Sequence, residues 1–146
     1  MTYKISLRPH HFLCILTYIG KGYTKNFTDN YDEVIRKLDK GDCEVQIISG
    51  PDDICSPRLC DTKDTNCHCN EKSIIDRDNE ALIDFQSIHE LSSLKMNSVI
   101  PFTKTLINAL RIHYKTGIIR TACKGCEWID LCNNIVKDDF KGTKLK

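Results

Sequence analysis

The chain predicts an α+β domain, mainly helical, with a short two-stranded sheet and a cysteine-rich loop. Three observations carry that expectation. Apolar residues recur at helical spacing in several segments, as in Tyr31, Val34, Ile35 and Leu38. Two short stretches, 3–7 and around Val45 and Ile47, alternate with period two. A run over 54–70 has no periodicity and holds Cys55, Cys60, Cys67, His68 and Cys69. At 146 residues the chain is the size of one domain, 1–146.

The elements follow in order. Residues 3–7 alternate as a strand, and Arg8-Pro9 breaks it, with Pro9 suited to the start of a helix. Residues 10–19 are apolar on nearly every face, which predicts a buried helix ended by Gly20 and Gly22. Thr28 or Asp29 can cap a second helix, which Gly41 stops. Val45 and Ile47, with Cys43 before them, mark the second strand, and Gly50-Pro51-Asp52-Asp53 a turn. The loop over 54–70 is long for a compact domain unless something ties it down. A third helix is expected over 71–85, with Asp78 interrupting the stripe of Ile74, Ala81, Leu82 and Phe85. A fourth should begin after Ile100, with Pro101 in its first turn, Phe102, Leu106, Ala109, Leu110 and His113 inward, and Gly117 closing it. Glu127–Val136 is expected as the last helix.

Composition narrows the function. A net charge of +1 gives no overall field to hold a polyanion, so nucleic acid is not the expected partner, and the lysines at the C-terminus read as a solvated end. No apolar run approaches the ~20 residues of a membrane span. The N-terminus lacks the layout of a secretory signal, so a cytoplasmic protein is expected. Thiols stay reduced there, and nine cysteines read as metal ligands rather than a disulfide framework.

Cys123, Cys126 and Cys132 form C-x2-C-x5-C. The two-residue gap lets two thiolates leave one turn, and about one and a half helical turns can bring the third back to the same centre. A fourth ligand must be remote. Cys14 is the leading candidate, with Cys55 or Cys67 as alternatives that could also begin a second site. Four thiolates suit zinc or an iron–sulfur cluster by ligand type. A close triplet with one distant partner favours [4Fe–4S] over the paired spacing of structural zinc. The cysteine layout alone resembles the cluster arrangement of RecB-family nucleases, whose catalytic Glu-x-Lys has no match here. Cys60 and Cys69 read as bystander thiols, and Cys43 as a small core residue.

The segments Tyr3–Cys14, Gly20–Tyr23, Gly50–Cys55, Cys67-His68 and Cys123–Cys132 with Trp128 resemble the family called domain of unknown function 1284. The resemblance implies a small prokaryotic iron–sulfur-binding protein and implies no reaction. Around the ligands, His10 and His11 open a nearly all-apolar helix and need buried partners. Arg8 is expected to form a structural ion pair with Asp52 or Asp53. Trp128 would shield the cluster from water, His113 reads as a satisfied core residue and His89 as surface. The expected function is a cluster that carries an electron to a redox partner or fastens the fold. The alternatives are a zinc-stabilised interaction module, or an enzyme with an open iron where His10, His11 or Asp52 moves protons. Oligomeric state is not legible.

Overall fold

The computed structural model describes residues 3–20, 25–40, 43–49, 52–54, 72–121 and 129–145. Among them lie strand β1 (Tyr3–Leu7), helix α1 (His11–Thr17), α2 (Lys25–Leu38), β2 (Cys43–Ile47), α3 (Lys72–Gln86), a 3-10 turn (His89–Leu91), β3 (Val99–Pro101), α4 (Lys104–Thr116) and α5 (Ile129–Lys137). The protein is a mainly helical α+β domain, as its periodicities predict.

The sheet has three strands, not two, in the order β1-β2-β3. β1 and β2 run parallel, Ile5 opposite Val45 and Leu7 opposite Ile47. A parallel pair needs a crossover, and α1 and α2 supply it. β3 pairs antiparallel with β2, Ile100 opposite Val45 and Pro101 opposite Glu44. The sequence assigned Pro101 to a helix. Proline has no N–H to give a ladder and is at home on an edge strand, which is where Pro101 lies. The helix begins later. Thr103 is its N-cap, its hydroxyl accepting from the Leu106 N–H at 3.1 Å. Gly117 ends it at φ 84°, in the left-handed region glycine enters freely.

β2 is the central strand, and its inward residues Cys43, Val45 and Ile47 are buried. Cys43 is thus the small core residue its alternation suggests. α1 buries His11, Phe12, Leu13, Ile15, Leu16 and Thr17, and packs against α4 and α5. Phe12 meets Phe85 of α3 edge-on, with centroids 6.2 Å apart. α2 starts at Lys25, one turn before the expected Thr28 cap. The extra turn buries Phe27 against Tyr31, and Lys25 pairs with Asp29 at 2.8 Å. No helix among the described residues is long and apolar enough to cross a membrane.

Candidate functional site

The last residues of β1 run straight into α1, so Arg8, Pro9, His10 and His11 are all drawn into the interior. Two buried carboxylates meet them there. Asp52, in the turn after β2, accepts the Arg8 N–H at 2.7 Å and the Ile54 N–H at 3.1 Å. Its Oδ2 also lies 2.6 Å from Nδ1 of His11. Asp78, on α3, binds Nε of Arg8 at 2.8 Å and Nδ1 of His10 at 2.6 Å, and it accepts the His10 N–H at 3.2 Å. A carboxylate only accepts, so each histidine is held with its proton on Nδ1 and its Nε2 lone pair directed away. The two rings are neighbours, with centroids 4.5 Å apart and planes tilted by 57°.

Asp53 secures the turn that carries Asp52. Its carboxylate accepts the Ser6 N–H at 2.9 Å, and its carbonyl accepts from the Asn30 side chain at 2.7 Å. Asp52 or Asp53 is the partner expected for Arg8; the structure adds Asp78, which binds the guanidinium. Asp52 serves the Arg8 backbone while the guanidinium reaches across to α3.

This packing has electrostatic consequences. Burial, then the neighbouring His11, push the His10 pKa down from 6.5 to about 4, against the pull of Asp78. Burial alone would raise Asp78, but its hydrogen bond with His10 and the charges of His10 and Arg8 win, and its carboxyl sits below the usual range. For His10 the unfolded chain binds more protons than the folded one between pH 4 and 6.5. The associated stability is therefore present above pH 6.5 and is lost as pH falls toward 4, by roughly 3 kcal/mol. His10→Asn keeps a donor for Asp78 and cannot titrate. Urea unfolding from pH 7 to 4.5 should show a steep loss for the native chain and a shallower one for this variant; parallel slopes would contradict the assignment.

One turn beyond the histidines, α1 carries Cys14. α5 packs on α1 and brings Cys132 with it, its Sγ 3.2 Å from the Thr17 hydroxyl. Tyr31 of α2 joins the two regions. Its ring is stacked on Tyr18 at 3.7 Å. Its phenol pKa is raised well above 10, by burial first and then by Cys14, Asp52, Tyr18 and Cys132. The helix that carries Cys14 and the helix that carries Cys132 thus pack on one another, with Thr17 against the Cys132 sulfur. Cys14, Cys43 and Cys132 are thiols. Cys55, Cys67, Cys123, Cys126 and Trp128 lie outside the described residues, as do Cys60 and Cys69. Among the described residues alone, no three histidine, cysteine or acidic side chains form a metal-binding group.

Arg8, His10, His11 and Asp52 are thus brought together as their pattern suggests. Asp78, Thr17 and Tyr31 complete the site and were not singled out for it. Asp78 left a trace in the sequence, a charge in the middle of an apolar helical stripe. Tyr31 and Thr17 left none, since both fit their stripes as ordinary core residues. His113 is only partly buried and meets Glu90 at 3.2 Å, while His89 is exposed. An open groove of about 530 Å³ beside α4, lined by Arg111, Lys115, Asp139 and Phe140, includes none of the site residues.

A family model described as a protein of unknown function, DUF1284, matches residues 22–132. The matched span takes in Asp52, Asp78 and the closing cysteine triplet, and it begins after α1. No curated protein and no solved structure matches the chain.

Proposed function

The chain belongs to the DUF1284 family, whose description assigns no reaction, and from its own residues we propose that it binds an iron–sulfur cluster of the [4Fe–4S] type. The observation that carries this reading is the meeting of α1 and α5. Thr17, one turn past Cys14 on α1, lies 3.2 Å from the Cys132 sulfur on α5, so a helix near the start of the chain packs its cysteine-bearing end on one near the end of the chain. Cys132 is the third member of the C-x2-C-x5-C run, so Cys123 and Cys126 are tethered within nine residues of it. The donor set fits the group: a remote thiol and a close triplet of thiols, the ligands such clusters take.

Cys14, Cys123, Cys126 and Cys132 would hold the cluster, with Cys55 and Cys67 as the competing fourth ligands. When bound, it supplies one-electron exchange or a cross-link between the chain ends. The surrounding residues act on their own account. The Thr17 hydroxyl lies 3.2 Å from the Cys132 sulfur, and hydrogen bonds to cluster sulfurs tune the potential. Such a protein would work in the reducing cytoplasm and pass electrons to a partner protein.

Anaerobic purification followed by iron, sulfide and zinc analysis tests the reading. The expected product is brown, bleached by dithionite, with about four irons and four sulfides per chain. A colourless protein carrying stoichiometric zinc would overturn it in favour of a zinc-stabilised module.

A further inference from the structure

We propose that His10 and His11 form a second metal site, separate from the thiols, which binds one divalent transition-metal ion through the two Nε2 atoms. Three observations lead there. Each imidazole is fixed through Nδ1 to its own buried carboxylate, His10 to Asp78 and His11 to Asp52. That is the arrangement by which proteins orient metal-binding histidines and raise their basicity. The second nitrogen of each ring makes no hydrogen bond among the described residues, although both side chains are only 11% exposed. Neither Nε2 is among the buried side-chain atoms that lack a partner, so both open to solvent, where an ion can reach them. The third observation is the spacing. A ring bound at 2.0–2.1 Å through nitrogen has its centroid about 3.2 Å from the metal, so two rings on one ion stand about 4.5 Å apart at a 90° bond angle and about 5.2 Å apart at the tetrahedral angle. The rings stand 4.5 Å apart.

Two imidazoles and no thiolate suit zinc, cobalt, nickel or ferrous iron. The described residues supply only these two nitrogens, so the remaining positions are left for water or for oxygen atoms of a small ligand. Asp52 and Asp78 stay in the outer layer, because each already spends its oxygens on ring and backbone N–H groups.

The test is a cobalt titration of the purified protein, cluster in place, read by calorimetry and visible absorption. One Co²⁺ per chain is expected, with weak d–d bands, free of sulfur-to-cobalt charge transfer and displaced by zinc. His10→Asn and His11→Asn separate this role from a structural one. Asparagine keeps an N–H where Nδ1 stood, so the bond to aspartate and the fold survive, but the Nε2 ligand is gone. Each variant should lose the cobalt isotherm while keeping its circular dichroism spectrum, iron and sulfide. Asp52→Asn should weaken cobalt binding by about 10–100-fold. The proposal is overturned if the native chain binds no cobalt, if both asparagine variants bind it as the native chain does, or if the bands report thiolate ligation. Iron and sulfide are counted in the same samples, so a failure of the cluster reading appears there and not in the isotherm.

Discussion

Replacing Asp78 by alanine should destabilise the protein by about 3–5 kcal/mol, a third or more of what holds a domain of this size together. The Arg8 side chain is 0% exposed and that of Asp78 4%, so neither charge has water to fall back on. Alanine removes the carboxylate that neutralises the guanidinium, together with the acceptor for the His10 ring and its N–H. A buried cation that loses a counter-charge costs more than the net value of the pair, because its desolvation penalty remains when that attraction is gone. Asp78→Asn retains an acceptor oxygen and should lose less. Asp76, exposed on the same helix, is the control, and Asp76→Ala should stay within about 0.5 kcal/mol of the native chain. Urea midpoints followed by circular dichroism decide it. A loss under ~1 kcal/mol for Asp78→Ala would mean that Arg8 is adequately neutralised without it.

That pair also marks how far the sequence could be read. Periodicity reports which face of an element is buried, and it placed α2, β2 and the body of α3 and α4 well. It does not report which buried residues touch. Arg8 and Asp78 are 70 positions apart, and nothing local distinguishes Asp78 from Asp53 as the partner. The exchange of Pro101 from helix to strand has a similar origin. A proline opens a helix or ends an edge strand equally well, and only the presence of β2 beside it settles the matter. The cysteine spacing, by contrast, carries a long-range expectation, that the two ends of the chain meet, and α1 does pack on α5. The role of Tyr31 was not legible, because a tyrosine on an apolar stripe looks the same whether its hydroxyl faces solvent or the interior, where Tyr31 lies.

Changing Cys132 to serine should abolish the cluster, taking iron from about four per chain to below one, while Cys43→Ser should leave iron content unchanged. Both cysteines are described thiols, but they sit in different surroundings. Cys43 is 1% exposed within the central strand, its sulfur 3.6 Å from the Glu44 carbonyl. Cys132 lies on α5 against Thr17, one turn of α1 from Cys14. The Cys14→Ser variant then separates two architectures. If the chain ends are joined by the cluster, this substitution loses iron to the same extent as Cys132→Ser, and both variants unfold at lower urea because α1 and α5 are no longer cross-linked. If Cys14→Ser keeps full iron content, the fourth ligand is Cys55 or Cys67, and the packing of α1 on α5 is held by Thr17 and its apolar neighbours alone. Equal iron in Cys43→Ser, Cys132→Ser and the native chain would remove the cluster from the C-terminal triplet altogether.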